Sequence, residues 1–329
     1  MLWPPSRATV RSVDSSEIPQ GDVIHVELDP AAMLRAYAAH RGRFADEVRA
    51  LDAAVLATPS RCSRWTLADV LRHLCDVDSW MGSIWAGGAP PFDVSQFNAR
   101  VTPNEFVEAG RRVPDVEVRD NYIASTPALV ASIDPSDRDR WATTSVSPLG
   151  FVPWWQSALH IFWDSWLHER DVLLPLGAQA PVQTEEVTPV LLYSLALAGT
   201  FCRSPVDIEI VGARLVAGDR PPRVSPPKNG VQADATTAAV IDALTGRGSL
   251  ENVIRGRRSS AHQAGGRPRS LPTVVTPRAL SRITDHAVTL DDRSAVLCGS
   301  GDPCFWGFVG FAGVRCGGGR PSIRGRSWG

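Results

Sequence analysis

The sequence predicts a helical bundle followed by a small α+β unit, between two termini that lack ordered structure. Three observations carry this. Four long stretches before residue 180 repeat apolar residues at helical spacing, the pattern turns to period two after residue 200, and both ends lack any period. At 329 residues and 43% hydrophobic, the chain can fill a sizeable core and is not globally disordered. That length corresponds to one or two domains. The expected layout is a leader over 1–25, a bundle over 26–180, an α+β domain over 184–257 and a low-complexity tail over 258–329.

The first helix opens at Asp29-Pro30, an N-cap residue followed by proline at the first helical position. Met33, Tyr37, Phe44, Val48, Leu51 and Val55 then recur on one face, so a single helix is expected up to Pro59-Ser60. The second helix starts at Thr66, with Asp69 as its capping-box partner. Leu67, Val70, Leu71, Leu74, Val77, Met81 and Ile84 mark its buried face, and Gly87, Gly88, Pro90 and Pro91 end it. Thr102-Pro103-Asn104-Glu105 opens the third, which Pro114 breaks or kinks before a further helical stretch over 116–133. A loop with room for a short strand crosses 134–153. The fourth long helix covers 154–174, closed by Pro175 and Gly177. Four such helices with short or moderate connections make a bundle. Beyond them, 184–201 reads as one more helix. A strand is expected over 206–211, extending towards Val216, and Asp234 caps a helix that Gly246 stops after Leu244. Past Arg257, Gly, Arg, Ser and Pro dominate and no helical stripe survives.

Composition removes several classes of function. The formal charge is -1, but residues 258–329 hold ten arginines against four aspartates. Lys228 is the only lysine, and an arginine bias of this kind reflects base composition rather than a nucleic-acid surface, which mixes both residues on one face. No apolar run is long enough to span a bilayer and no signal core opens the chain, so a cytoplasmic protein without membrane or nucleic-acid partners is expected. The six cysteines form no CxxC pair, which argues against a disulfide framework in a reducing compartment. No nucleophile elbow, phosphate loop or dinucleotide fingerprint is present.

The chemistry therefore falls to histidines and acids on apolar helix faces. His73 lies between Val70, Leu74 and Val77, so its ring points into the bundle. Asp164 and His168 are four residues apart, on one face of their helix. That spacing chelates a divalent cation, and His73 from a facing helix would complete a three-ligand site with open positions. Two histidines and one carboxylate suit zinc and also admit iron, manganese, cobalt or nickel. A buried histidine is otherwise a hydrogen-bonded core residue. His160, four residues before Asp164, extends the same row, and spacing alone does not choose between His160 and His168. Cys75 points about 200° away from His73 around the helix and is not a co-ligand. Asp76 and Asp78 read as solvated.

The run Ser63-Arg64-Trp65-Thr66-Leu67-Ala68-Asp69-Val70-Leu71-Arg72-His73-Leu74 resembles the first signature of the mycothiol-dependent maleylpyruvate isomerase family, within the DinB-like superfamily. Asp164-Ser165-Trp166-Leu167-His168-Glu169-Arg170-Asp171 resembles its second signature, an acid, a histidine four residues on and a trailing acid. Leu244-Thr245-Gly246-Arg247 resembles a Leu-x-Gly-Arg segment near the end of the family's second domain. The resemblance implies a DinB-like four-helix bundle, with metal ligands at His73, Asp164 and His168. The family's acid is usually glutamate, so the carboxylate here is one methylene shorter. Asp171 takes the trailing position, where it would orient an imidazole. The implied activity is a thiol-dependent cis–trans isomerisation or a thiol S-transfer, with a divalent metal (zinc foremost) activating a low-molecular-weight thiol such as mycothiol. The implied partners are that thiol and a small-molecule substrate, on a monomer or homodimer. Arg247 is the candidate clamp for a substrate carboxylate. Trp163 and Trp166 are either core or the walls of a cofactor pocket. The alternative is a bundle that binds metal or ligand without catalysis.

Overall fold

The computed structural model describes residues 25–88, 101–147, 150–201, 206–210, 213–217, 223–225 and 235–248. Nearly all of the leader, Pro90 and Pro91, the cap at Asp234 and the tail over 258–329 lie outside the described residues. The described part is mostly helical. In chain order it runs β1 (His25–Val26), α1 (Pro30–Arg49), α2 (Ala53–Leu56), α3 (Leu67–Trp85), α4 (Thr102–Gly110), α5 (Asp115–Ser132) and α6 (Arg138–Trp141). There follow β2 (Thr144–Ser147), β3 (Gly150–Pro153), α7 (Trp154–Leu173), α8 (Thr184–Phe201), β4 (Val206–Ile210), β5 (Ala213–Ala217), β6 (Arg223–Ser225) and α9 (Ala235–Leu244).

Local chemistry explains the boundaries. Asp29 accepts a hydrogen bond from Ala31 N at 3.0 Å, with Pro30 in the first turn. Thr66 and Asp69 form a complete capping box at the start of α3, each side chain accepting from the other's backbone N–H. The expected single helix up to Pro59 is divided, because Asp52 caps a new turn by accepting from Val55 N at 2.9 Å. Helix α4 begins at Thr102 with Val101 as N-cap, so the threonine lies inside the helix rather than capping it. Pro114 does not kink a helix; it is the N-cap residue of α5. The loop expected over 134–153 holds α6 and the β2–β3 hairpin, registered Thr144↔Pro153 through Ser147↔Gly150. The period-two run after residue 206 folds back on itself, pairing Val206↔Ala217 through Ile210↔Ala213 antiparallel.

Helices α1, α3, α5 and α7 form a closed ring of neighbours, α3 against α5, α5 against α1, α1 against α7 and α7 against α3. Outside the ring α8 lies against α1 and α7, and the sheet of order β1-β6-β5-β4 and helix α9 lie against α8. Strand β1 precedes the ring in sequence yet pairs parallel with β6, His25↔Arg223 and Val26↔Val224.

The buried apolar side chains fall into two clusters along the ring. One holds Met33 and Tyr37 of α1, Val77 to Trp85 of α3, Leu129 of α5 and Trp154 to Leu167 of α7, and continues into α8 and α9. The other holds Phe44 and Val48, Leu67 to Leu74, Val118 and Tyr122, and Val172 and Leu173. At the division lie buried polar residues from every ring helix: His40, Arg41, His73, Asp78, Thr126, Asp164, Ser165 and His168. Burying so many polar groups in a helical core is costly unless they are partnered, so this layer needs a chemical reason.

Candidate metal centre

His73 and Asp164 face each other across the α3–α7 contact, with His73 Nε2 at 3.4 Å from Asp164 Oδ2. One turn along α7, His168 Nε2 is 3.4 Å from Asp164 Oδ1. The three ligand atoms all lie within 4.8 Å of one another, and the residues are 2%, 1% and 0% exposed. Two donors about 2.1 Å from one ion at the tetrahedral angle stand about 3.4 Å apart, so the donor separations suit a shared cation. Both Asp164 oxygens and His168 Nε2 are buried without a hydrogen-bond partner among the described residues. Orphaned acceptors and a donor nitrogen aimed at one point are what a metal site looks like without its ion, so the residues fit the group.

The electrostatics agree. Burial alone would raise the Asp164 pKa, but the His168 and His73 rings outweigh it and hold the carboxyl far below the usual carboxylate range. Burial likewise opposes charge on His168, and Asp164 reverses this to raise its pKa well above the ordinary imidazole value. The centre thus keeps its carboxylate ionised even though it is dry.

The other face of the His168 ring is held too. His168 Nδ1 is 3.0 Å from Asp171 Oδ2. Arg247, just past the end of α9, donates Nε to both Asp171 oxygens at 3.0 Å and Nη2 to Oδ2 at 2.7 Å. Burial would raise the Asp171 pKa, but Arg247 and the His168 hydrogen bond carry it far down instead. Arg247 therefore lies on the Nδ1 side of His168, away from Asp164, with its Nε–Nη2 edge on Asp171. Cys62 Sγ completes this region 3.5 Å from Asp171 Oδ2.

The two predicted tryptophans are fully buried in α7. Trp163 donates its indole N–H to Ser194 Oγ of α8 at 2.9 Å, and Arg170 lies over the Trp166 ring at 5.0 Å. Trp65 touches both imidazoles, 5.2 Å from the His73 ring and 6.1 Å from the His168 ring. Its N–H donates to Asn104 Oδ1 at 2.9 Å. Sequence reading placed Trp65 only at the helix start; its signal was its position one residue before the capping threonine, on the chain entering α3. His160 points elsewhere, with Nδ1 3.0 Å from Tyr193 Oη of α8, and it belongs to no ligand cluster among the described residues. Cys75 faces Val118 O, and burial pushes its thiol up to about 12. Asp78, expected in solvent, is buried and pairs with Arg41 Nη2 at 2.5 Å.

Two further groupings, Cys62 with His168 and Asp171, and His40 with Glu169 and Glu186, also gather three ligand atoms within 4.8 Å; the first shares His168 with the centre. In the His40 grouping the cation is already supplied, because the Arg43 guanidinium pairs with both carboxylates.

Residues 37–173 match the family model of the mycothiol maleylpyruvate isomerase N-terminal domain. Over that span the chain is similar to that domain. The match contains His73, Asp164, His168 and Asp171 and stops short of Arg247. A crystal structure of the mycothiol-dependent maleylpyruvate isomerase is similar at 17% identity and a TM-score of 0.46, over 67% of this chain and 89% of that one. A histidine-to-alanine mutant of the mycothiol-dependent maleylpyruvate isomerase is similar at 18% identity and a TM-score of 0.44, with the same coverage. No curated protein matches. Among the described residues, no helix is long and apolar enough to cross a membrane.

Proposed function

We propose that this chain is a divalent-metal-dependent enzyme using a low-molecular-weight thiol, mycothiol or a close equivalent, to isomerise or thiolate a small substrate. The carrying observation is the buried convergence of His73, Asp164 and His168 inside the matched domain. In this reading α1, α3, α5 and α7 are a DinB-like four-helix bundle, and α8, the four-stranded sheet and α9 form the second unit. His73 Nε2, Asp164 and His168 Nε2 would hold the ion, with zinc the first choice for two imidazoles and one carboxylate. Such an ion lowers the pKa of a thiol, making it a nucleophile near neutral pH.

The chain's own contribution is orientation and dryness. With an ion bound, Asp171 would accept the Nδ1 proton of His168 and so leave the Nε2 lone pair for the metal. Arg247, expected as a carboxylate clamp, is proposed to act through Asp171, which already takes its Nε–Nη2 edge. Trp65 walls both imidazoles and takes the pocket-lining role expected of Trp163 and Trp166; Trp166 lies two residues from each ligand, about 200° around α7, and is read as core.

An assay of thiol-dependent isomerisation and thiol transfer, with metal added back, tests the reading. Turnover that needs both thiol and metal and vanishes in His73→Ala supports the enzyme. Metal bound tightly with no turnover on any thiol-and-acceptor pair favours the second reading, a binding bundle without catalysis; the shorter Asp164 in place of the family's glutamate is the residue that motivates it.

A further inference from the structure

The polar layer of the ring extends beyond the metal centre, and its second half has no role in the chemistry above. Tyr37 and Arg41 sit one turn apart on α1, facing Asp78 of α3 and Tyr122 of α5. Arg41 Nη2 pairs with Asp78 Oδ2 at 2.5 Å, Arg41 Nη1 lies 3.4 Å from Ser165 Oγ, and the guanidinium carbon stacks 4.4 Å over the Tyr122 ring. Tyr37 stacks on Phe162 at 5.2 Å, two residues before Asp164. Tyr37, Arg41 and Tyr122 are 0% exposed and Asp78 is 6%.

Four atoms of this group are buried with no hydrogen-bond partner among the described residues: Tyr37 Oη, Tyr122 Oη, Arg41 Nε and Asp78 Oδ1. One such orphan is tolerable; four on neighbouring residues, two from α1 and one each from α3 and α5, are a built feature. Their chemistry specifies the missing partner. The Arg41 and Asp78 charges cancel, so neither an anion nor a cation is selected. What is left over is three donors (two phenols and one N–H) and one carboxylate acceptor. A hydroxyl oxygen, which both donates and accepts, matches that set.

We propose that Tyr37, Arg41, Asp78 and Tyr122 form a buried site for an uncharged hydroxyl oxygen, beside the metal centre and distinct from it. The oxygen comes either from ordered water or from the alcohol group of a bound ligand. A buried water typically makes about three hydrogen bonds to otherwise unsatisfied groups, which this set supplies. Burial holds both phenols in their protonated, donating form, since it raises their pKa values. The site does not depend on the centre's being loaded.

A crystal structure of the full chain, grown without alcohols and then soaked in glycerol, separates the two sources. Density for an isolated oxygen bonded to at least two of the four atoms before soaking assigns water, and its replacement by a glycerol hydroxyl assigns an alcohol site. Either supports the proposal. The four atoms closing on one another, with no third oxygen, overturns it. Thermal unfolding of Tyr37→Phe and Tyr122→Phe gives an independent reading. Loss of a satisfied hydroxyl lowers the midpoint by about 2–4 °C each. Loss of a dry orphan leaves the midpoint unchanged or raises it, which contradicts the proposal.

Discussion

At the scale of single residues, Asp164 and His168 shift each other in a buried site, the carboxyl downward and the imidazole upward. The Asp164 pKa in the folded chain lies far below its unfolded value, so its contribution is present above the unfolded pKa of about 4 and survives deep into acid. The His168 pKa is raised, so its contribution is complete below the unfolded value of about 6.5 and is lost as pH rises through the folded value. The metal-free protein should therefore lose thermal stability as pH rises above about 6.5, and His168→Gln should flatten that slope. Differential scanning calorimetry across pH checks both; a metal-free protein that gains stability above neutrality contradicts the assignment. Metal uptake must displace the His168 proton, so affinity should rise with pH. One residue further out, Asp171→Ala should weaken metal binding by about 10–100-fold, because His168 Nδ1 loses its acceptor. Chelator competition measures this, and an unchanged affinity would remove Asp171 from the account.

At the scale of elements, α3 and α7 matter because they aim the ligands. Thr66→Ala removes half of the capping box of α3 and should cost about 1 kcal/mol in urea unfolding while leaving metal stoichiometry intact. The helices, the capping box and the convergence of His73, Asp164 and His168 are legible in the sequence, since period, cap chemistry and i, i+4 spacing are local properties. Spacing left His160 and His168 equal; packing separates them, since the ring of His160 is drawn to Tyr193 on a helix that spacing cannot place. The division of the first helix at Asp52 was missed because the apolar stripe runs on past the break to Val55. The polar layer had a readable trace. The stripe on α1 skips from Tyr37 to Phe44, and Arg41 fills the vacant inward position. Asp78 follows Val77, at i+4 from Leu74 on the inward side of α3, and its charge alone suggests a solvated residue. The Arg247–Asp171 contact joins residues 76 positions apart, and no local pattern reports it.

At the scale of the whole molecule, one apolar cluster runs from α1 and α7 into α8 and α9. Ile241 of α9 is fully buried in it, so Ile241→Ala should cost about 2–5 kcal/mol. The loss should appear in the same urea transition that unfolds the ring, followed by tryptophan fluorescence; a separate early transition would mean that α9 and its neighbours unfold independently of the ring. Above all, the ring exists in this account to gather three donors from two helices. Metal content of the purified chain beside His73→Ala, Asp164→Ala, His168→Ala and His160→Ala tests that directly. The expected result is about one divalent ion per chain, lost in the first three variants and kept in His160→Ala. Metal that survives His168→Ala but disappears in His160→Ala would contradict it.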